Sequence, residues 1–488
     1  MPQMRLFLLT LFITFSSVSA ADRPNFLFII ADDLRNELGC YGSEIAITPN
    51  LDALAESGVR FDRAYCQKAV CWPSRNSMIS GLLPGNLGKT NSKATFRESH
   101  PDITSLPQHF KENGYFAASF GKILHNGQDD PASWSQPHFD PPPLHYARPE
   151  NRDKHPIINR SVPENKSNPL TEEADVPDNA YEDGATAEKA IEEIRKQAEE
   201  ESPFFLMVGF HKPHSPFNAP KRDWDLYAET DIPLSPFPLQ PKGAPVEQTF
   251  HPSSYLRSFA GFPTTGEIPK KEARKTRHAY LACVSYIDRL TGKLVEALEK
   301  SGQRENTIII FTSDHGYHLG DHGLWSKHTT FELATRVPLL LTGPGISRNT
   351  STNALVELLD LYPTLAGLAS LDLPDHLEGQ SFASVLSDPS ATAREAAFSE
   401  FSRGGARGLS IRTNHFRYTE WCSQKSGEIV ARELYDLHES PVERENLASD
   451  PELADLVGDL SVILKRRLSE LSDLTARAQG MDTGAKKK

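Results

Sequence analysis

Two pairs of residues in the sequence have side chains suited to binding a hard metal ion. Asp32 and Asp33 follow the apolar run NFLFIIA, and Asp314 and His315 follow NTIIIFTS. Carboxylates crowded together repel one another and raise each other's pKa, a cost that a divalent cation removes. Oxygen-rich ligation points to Ca²⁺ or Mg²⁺ rather than Zn²⁺. An aspartate after an apolar run can also cap a helix, but its recurrence after a second run favours a metal site.

Cationic side chains follow the same kind of apolar run. Lys122 and His125 come after YFAASF, His214 comes after PFFLMVGF, and Lys327 follows the SDHG motif. Each of these residues taken singly is more often structural than catalytic. Together with Arg75 and the acidic set, they predict an anion-binding pocket around the metal, because local positive charge can oppose a negative net charge.

The segment AVCWPSRNS places Cys71 at the start of a predicted helix. Pro73 suits the first turn, so the thiol lies just before a helix N-terminus, where the dipole and free N–H groups favour an anion. Such a thiol is expected to have a lowered pKa. A thiolate nucleophile is one interpretation, and a disulfide with Cys66 is another. Soft sulfur is a poor ligand for a hard cation, so oxygen at position 71 would suit the predicted metal better.

Apolar strands that alternate with helices would position these residues. Strands are indicated by NFLFIIADD, YFAASFGK, PFFLMVGF, NTIIIFTSDHG and VPLLLTGPG. Such a pattern predicts an α/β fold with a mixed, mostly parallel sheet flanked by helices on both faces. In open α/β sheets, ligands bind outside the carboxyl ends of the strands. The candidate residues therefore collect at one edge of the predicted sheet.

Helices and loops complete the predicted catalytic domain over 21–388. Helices are indicated from Thr48–Pro49 to Gly58, in LPQHFKENG, in ATAEKAIEEIRKQAEE and over about 271–301. Residues 126–182 and 233–269 lack periodicity and are predicted as long surface loops, which in compact domains are usually functional or disordered. The short strand patterns GLSIRT, FRYTEW and ELYDL and a terminal helix over about 450–471 predict a smaller C-terminal α+β domain over 389–488.

The first twenty residues, MPQMRLFLLTLFITFSSVSA, predict a secretory signal peptide cut after Ala20. The protein is therefore expected to be exported, to the periplasm or the medium. No later segment reaches the roughly 18 apolar residues that a membrane span needs. The formal net charge of -13 argues against a nucleic-acid partner. Five cysteines are too few for a disulfide scaffold.

The Cys-x-Pro-Ser-Arg pattern that begins at Cys71 resembles the signature of type I sulfatases, in which this cysteine is oxidised to formylglycine by a maturase. The resemblance covers nearly the whole chain and is strongest to the iduronate-2-sulfatase branch, through FKENGYFAASFGKILH, GFHKPHSPF, ACVSYIDRLTGKLVEAL and FTSDHGYHLGDHGLWSKHTTFELATRVPL. It implies an alkaline-phosphatase-like fold. Two positions depart from the common pattern. Leu82 replaces a frequent arginine, and His315 replaces an asparagine, a change that the iduronate-2-sulfatase branch shares.

The resemblance also implies roles for matching positions. One Ca²⁺ ion would be bound by an oxygen of formylglycine 71 and by four side chains, Asp32, Asp33, Asp314 and His315. Arg75 and Lys122 would hold the formylglycine hydrate. His125 would assist its final collapse. His214 and Lys327 would hold the sulfate and help the leaving oxygen.

The implied mechanism is covalent catalysis, in which one hydroxyl of a hydrated aldehyde attacks sulfur and the second allows the intermediate to release sulfate. The predicted substrate is a sulfated oligo- or polysaccharide that contains uronic acid, with the 2-O-sulfate of iduronate or a related sugar as target. One alternative is a phosphodiesterase or phosphonate hydrolase of the same superfamily. Another is a carbohydrate-binding protein whose cysteine is never matured.

Overall fold

The computed structural model describes residues 23–88, 91–152, 154, 167–252 and 255–478, with side chains described up to residue 470. The predicted signal peptide over residues 1–20 lies outside the described residues. Within the described part of the chain, no helix is both long enough and apolar enough to cross a membrane.

The strands are numbered in chain order through the described residues. They are β1 (Asn25–Asp32), β2 (Val59–Tyr65), β3 (Phe116–Gly121), β4 (Thr171–Ala174), β5 (Phe204–Pro213), β6 (Phe217–Pro220), β7 (Thr307–Ser313), β8 (His318–Leu319), β9 (Trp325–Ser326), β10 (Arg336–Thr342), β11 (Thr350–Thr352), β12 (Val356–Glu357), β13 (Ala397–Arg403), β14 (Ala406–Arg412), β15 (Phe416–Ser423) and β16 (Ile429–Asp436). All five predicted strand segments are present, as β1, β3, β5, β7 and β10.

The helices are numbered in the same way. They are α1 (Pro49–Glu56), α2 (Cys71–Ser80), α3 (Leu106–Glu112), α4 (Pro149–Arg152), α5 (Glu182–Gln197), α6 (Lys221–Trp224), α7 (Val246–Thr249), α8 (Lys270–Lys300), α9 (Glu332–Thr335), α10 (Leu361–Leu368), α11 (Ala383–Ser387) and α12 (Ala454–Ala478). The segments predicted as long loops contain short elements, with α4 and β4 in the first and α7 in the second.

The main sheet has eight strands in the order β11-β2-β10-β7-β1-β5-β3, and β12 also pairs with β2. β1 runs parallel to β5 and β7, and β3 runs parallel to β5. β10 runs antiparallel to both β7 and β2, so the sheet is mixed, and the predicted fold class is confirmed. The sequence analysis did not identify β2, because VRFDRAY alternates apolar and charged residues instead of forming a continuous apolar run.

Both faces of β1 are buried because helices cover each side of the sheet. Alternate residues point to opposite faces of a strand. Leu27 and Ile29 belong to the core cluster that contains residues of α5 and α8, whereas Phe26 and Phe28 belong to the cluster that contains residues of α3 and α10. The eight residues of β1 are all buried, which explains the continuous apolar run in the sequence.

The C-terminal sheet is an antiparallel meander of β13, β14, β15 and β16. Leu460 and Leu464 of α12 share a core cluster with Phe398, Ile411 and Tyr418 of this sheet. The described residues thus contain a smaller α+β unit after α11. The exact domain limits, 21–388 and 389–488, remain a prediction.

Candidate active site

Helix α2 carries the central side chain of the site. Cys71 is the first residue of the helix rather than the residue before it, and Val70 is the N-cap. Nearly the whole helix is buried, and the Ser74 hydroxyl donates a 2.6 Å hydrogen bond to the carbonyl of Asp314. This bond joins the first turn of α2 to the end of β7. The Cys71 thiol therefore lies at the carboxyl edge of the main sheet.

The acidic residues converge because β1 and β7 are neighbours in the sheet. Ala31 is paired with Ser313, so Asp32 and Asp314 leave the two strands at the same level. Asp33 has φ +66°, in the left-handed region that Asp enters more readily than most residues. Its N–H donates to Asp314 Oδ1 at 3.3 Å. Three buried carboxylates thus share one small region.

Four of the predicted metal ligands, Asp32, Asp33, Cys71 and His315, each offer one ligand atom, and these atoms all lie within 4.8 Å of one another. Cys71 Sγ is 3.4 Å from both Asp32 Oδ1 and His315 Nε2. Asp314 lies beside this group, and its Oδ2 accepts a 2.8 Å hydrogen bond from Arg75 Nε. The described residues therefore include a cluster that could hold a metal ion.

His315 is oriented for ligation by its second nitrogen. Nδ1 lies 3.0 Å from the carbonyl of Gly316, and a carbonyl can only accept, so Nδ1 carries the proton. Nε2 then presents a lone pair to the site, which is the arrangement that metal-binding imidazoles use. Burial lowers the pKa of His315 to about 4, which favours this neutral form.

Three predicted cations neutralise the three carboxylates. Lys122 forms an ion pair with Asp32, and Lys327 Nζ lies 2.5 Å from Asp33 Oδ1. Lys327 Nζ is also 3.2 Å from Cys71 Sγ. With Arg75 on Asp314, each carboxylate has one cationic partner. The site is thus a cluster of buried charges that compensate one another. The same charges would be unfavourable if they were buried without partners.

Arg75 also fixes the backbone around the site. Its guanidinium is fully buried and donates to the carbonyls of Lys122, Ile123 and Ala31. A Cβ atom at Gly209 of β5 would lie 2.0 Å from the Lys122 carbonyl, so only glycine permits this close approach of β5. The position of the Lys122 backbone is therefore determined by α2 and β5 together.

The two predicted catalytic histidines have different surroundings. His214 Nε2 lies 3.8 Å from Asp33 Oδ2, and its Nδ1 lies 2.6 Å from the Ser215 carbonyl, so Nδ1 carries the proton. His125 is half-buried, and its Nδ1 lies 3.2 Å from the Ser92 carbonyl. No hydrogen bond joins His125 to Cys71 within the described residues. The structure therefore brings His214 to the metal cluster and leaves His125 at its margin.

Two expectations for Cys71 are wrong. All five cysteines lie within the described residues and carry free thiols, so Cys66 and Cys71 do not form a disulfide. Burial, followed by the charge of the Asp32 carboxylate, raises the pKa of the Cys71 thiol. The helix N-terminus and the nearby lysines do not compensate for the lost solvation. A buried thiol of this kind is a weak nucleophile.

The neighbouring carboxylates differ from each other. Burial alone would raise the pKa of Asp32, but Lys122, His214 and Arg75 lower it well below its usual range. Burial raises the pKa of Asp33 to about 7, and repulsion from Asp32 and Asp314 adds to this effect. Together they outweigh the attraction of Lys327, which lowers the pKa. This is the repulsion between crowded carboxylates that the sequence predicted.

A cleft of about 420 Å³ opens beside the metal cluster and includes Lys122 and His214 in its wall. Residues that the sequence analysis did not select complete this wall, among them His145, Arg152, Lys154, His211 and Tyr255. Most of them lie in the two segments predicted as long loops. Loop length was the only signal that could have pointed to them, because such segments in compact domains are often functional.

Comparison with known proteins decides the family. The model of the sulfatase family matches residues 24–371, and a model of the C-terminal region of N-sulphoglucosamine sulphohydrolase matches residues 320–472. The chain belongs to the sulfatase family. This sulfatase is 34% identical to iduronate 2-sulfatase of Mus musculus, over 91% of this chain and 94% of the relative. The iduronate 2-sulfatase of Homo sapiens is also 34% identical, over 90% of this chain and 93% of the relative.

Among solved structures, the phosphonate monoester hydrolase of Agrobacterium radiobacter superposes on this sulfatase with a TM-score of 0.74. The two are 25% identical, and the match covers 92% of this chain and 96% of the other. The match to the sulfatase family and to iduronate 2-sulfatases confirms the predicted resemblance to sulfatases. It also confirms the predicted enzyme class, a sulfuric ester hydrolase.

Proposed function

We propose that this sulfatase removes the 2-O-sulfate from iduronate or a related uronic acid at the end of a sulfated glycan, with formylglycine made from Cys71 and one Ca²⁺ ion. The observation that carries the proposal is the position of Cys71. Its side chain lies at the start of α2, beside three carboxylates, three cations and the cleft. The identity of 34% to iduronate 2-sulfatases over most of the chain supports the choice of sugar.

The donor set suits Ca²⁺ once residue 71 carries oxygen. Asp32 and Asp33 supply hard oxygen ligands, His315 supplies Nε2, and Asp314 lies within reach at 3.6 Å from that nitrogen. The thiol sulfur is the one poor match in this set. When bound, Ca²⁺ supplies positive charge that stabilises the charge developing on the sulfate oxygens.

Formylglycine at position 71 would supply an aldehyde hydrate, whose two hydroxyls allow both attack on sulfur and subsequent release of sulfate. The thiol itself is unsuited to attack, because burial raises its pKa. Arg75 and Lys122 would hold the hydrate, since both are buried and fixed by Asp314 and Asp32. Conversion of the cysteine needs a maturase, which is the predicted protein partner.

The remaining cations would bind the sulfate and assist the sugar oxygen. Lys327 Nζ, 3.2 Å from Cys71 Sγ, would neutralise an oxygen of the sulfate. His214 keeps Nδ1 on the Ser215 carbonyl, so its Nε2 is the atom that exchanges a proton with the leaving oxygen. His125 would take the proton from the second hydroxyl of the sulfated formylglycine hydrate when this intermediate collapses and releases sulfate.

The decisive experiment uses protein produced together with a formylglycine-generating maturase. Peptide mass spectrometry should show the aldehyde at residue 71. The matured protein should release sulfate from 2-O-sulfated uronate disaccharides. Activity confined to another sulfated sugar would overturn the substrate and leave the enzyme class. Faster turnover of aryl phosphates or phosphonate monoesters than of sulfates would favour the phosphonate-hydrolase alternative. An intact, alkylatable thiol in protein from the native host would favour a carbohydrate-binding role.

Calcium can be tested separately from activity. Removal of Ca²⁺ by a chelator should lower the thermal unfolding temperature, because the clustered carboxylates then repel each other, and re-addition should restore it. Calorimetric titration with Ca²⁺ should show one site, which Asp32→Asn weakens. An unchanged unfolding temperature and no heat of binding would remove calcium from the proposal.

We also propose that the protein is exported after removal of residues 1–20. The N-terminal sequence of the mature protein should then begin at Ala21. Cell fractionation should locate the protein in the periplasm or the medium. A cytoplasmic protein that retains Met1 would contradict export and leave the enzymatic proposal intact.

A further inference from the structure

The cleft beside Cys71 has more positive charge than the sulfate being cleaved requires. We define the Arg152 cleft by His145, Arg152, Lys154, Asn168, His211 and Tyr255. It has no aspartate or glutamate among its described lining residues. It shares Lys122 and His214 with the site around Cys71, so a ligand can contact both at once.

Three cations that line this cleft, Arg152, Lys154 and Lys212, donate to uncharged oxygens, and Lys212 is buried with its Nζ on the carbonyls of His214 and Pro216. Arg152 Nε donates to the carbonyl of Tyr146 at 2.7 Å, and Lys154 Nζ donates to Asn151 Oδ1 at 3.1 Å. Within the described residues, neither forms an ion pair with a carboxylate. This differs from Lys122, which is paired with Asp32. Arg152 and Lys154 therefore present positive charge that an external anion could neutralise.

A buried carboxylate holds this wall of the cleft in place. Glu172 accepts hydrogen bonds from the N–H of Ala147 at 2.6 Å and from Asn151 Nδ2 at 2.6 Å. These bonds fix the start of α4, which carries Arg152. A wall that is already fixed loses little conformational entropy when a ligand binds, so its interactions contribute more to affinity. The fixed wall therefore indicates a preformed site.

The histidines of the cleft are held in the same way. Glu182 at the start of α5 lies 3.1 Å from His145 Nδ1 and 3.6 Å from His211 Nδ1. The Glu182 carboxylate is thus already engaged by these two imidazoles. It does not neutralise Arg152 or Lys154, which leaves the surplus of positive charge in place.

The remaining walls suit a sugar ring. Asn168 is buried, and its Nδ2 donates to the carbonyl of Asn151 at 3.0 Å, so it holds the wall that carries Arg152. Tyr255 is 38% exposed and contacts His214 edge to face, with ring centroids 5.8 Å apart. Its ring can therefore pack against a ligand that lies next to His214.

We propose that the Arg152 cleft binds a second anionic substituent of the substrate, a carboxylate or a further sulfate, through Arg152 and Lys154. The inference rests on the proposed sulfatase activity for its choice of ligand. It assigns to Arg152 and Lys154 a role in substrate specificity, and it places neither of them at the reacting sulfur.

The test compares the variant Arg152→Ala/Lys154→Ala with wild type on three substrates. These are a 2-O-sulfated uronate disaccharide, the same disaccharide with its carboxylate reduced to an alcohol, and 4-nitrophenyl sulfate. Loss of two charge-assisted hydrogen bonds should lower kcat/KM on the uronate disaccharide by about tenfold or more. Turnover of the aryl sulfate should be unchanged. Arg348→Ala/Lys300→Ala, which removes two exposed cations elsewhere, serves as the matched control.

The kcat/KM of the wild type on modified disaccharides identifies which anionic group of the substrate is bound. If the carboxylate is the bound group, its reduction lowers wild-type kcat/KM and has little effect on the double variant. If a further sulfate is bound, a disaccharide with an added sulfate on the neighbouring sugar gains kcat/KM in wild type alone. An equal loss on the disaccharides and on the aryl sulfate, or no loss on any of them, would overturn the inference.

A binding measurement separates this inference from the proposed function. Cys71→Ala with and without the two substitutions should be titrated with the same disaccharides, so that no turnover is needed. Weaker binding of about tenfold in the triple variant supports the inference even if the wild type hydrolyses a different sulfated sugar. Equal binding overturns it, whatever sulfate ester the wild type cleaves.

Discussion

Among the regions where buried charges gather, two can be compared directly, one around Cys71 at the edge of the main sheet and one around Glu332 at the junction with the C-terminal sheet. At the junction, Glu332 accepts from Tyr65 at 2.8 Å and from Arg417 at 2.6 Å, and Arg412 lies 3.4 Å away. Arg417 also contacts Glu443 at 3.1 Å. This cluster joins α9 to the C-terminal sheet, and no cleft described above reaches it.

The two regions treat their carboxylates differently. Burial alone would raise the pKa of Glu332, but the guanidinium groups of Arg412 and Arg417 lower it to about 2. Around Cys71, burial raises the pKa of Asp33 to about 7, and repulsion from Asp32 and Asp314 adds to this effect. The junction is satisfied by its own arginines. The edge of the sheet retains repulsion that a cation would relieve, and it opens on a cleft.

The comparison teaches that buried charge is not by itself a sign of function. Both clusters combine acidic residues with cationic side chains, and both are buried. What distinguishes the edge of the sheet is the convergence of carboxylates from two parallel strands beside a helix N-terminus. Four predictions test this distinction, and they are given from the largest expected effect to the smallest.

The largest effect is expected for Cys71→Ala. Removal of the side chain that would become formylglycine should lower kcat for sulfate esters by at least about 10³-fold, with little change in thermal unfolding. Sulfate release and circular dichroism would measure the two properties. Cys422→Ser, which alters a half-buried thiol in the C-terminal sheet, should leave both unchanged. Substantial activity in Cys71→Ala would place the nucleophile elsewhere.

The variant Glu332→Gln should have the opposite profile. It removes the carboxylate that pairs with Arg412 and leaves Arg417 with Glu443 alone, so it should lower the free energy of unfolding by about 3–5 kcal/mol. The activity per folded molecule should be unchanged. Urea unfolding gives the first quantity, and turnover corrected for the folded fraction gives the second. Glu439→Gln, an exposed change of the same type, is the control. An equally stable Glu332→Gln would show that the junction contributes nothing to stability.

The pH dependence should sharpen this result. The folded pKa of Glu332, about 2, lies below its ordinary value of 4.5, so its ionised form contributes stability that is present above about pH 4.5. That contribution, about 3 kcal/mol at most, is lost as pH falls towards 2. The difference in unfolding free energy between wild type and Glu332→Gln should therefore shrink from pH 5 to pH 3. A constant difference across this range would contradict the assigned ion pair.

The smallest effect is expected for His125→Ala. Loss of a general acid–base group that assists one step should lower kcat by about 10²-fold, without loss of stability. Because the step follows attack on sulfur, single-turnover release of the sugar should be affected less than steady-state release of sulfate. His438→Ala, in the exposed turn after β16, is the control. An unchanged kcat would assign His125 a structural role, in line with its position at the margin of the metal cluster.

Much of the fold and the charged site could be predicted because each depends on local sequence. The strands β1, β3, β5 and β7 are buried on both faces and therefore appear as continuous apolar runs. β2 and the antiparallel direction of β10 could not be found in this way. β2 pairs with β10 on one side and β11 on the other but lacks a continuous apolar run, and the direction of a strand depends on which neighbour it pairs with.

The sequence by itself determined the polar residues at the strand ends and the Cys71 motif, since the ends of strands and the starts of helices depend on local sequence patterns. Only the tertiary structure decided how these residues interact. Burial raises the pKa of the Cys71 thiol, although a helix N-terminus alone would lower it. Segments without periodicity bring Arg152, Lys154 and Tyr255 to the cleft. The physical reason is that solvation and long-range contacts depend on the whole fold, whereas strand and helix propensities depend on neighbours in the chain.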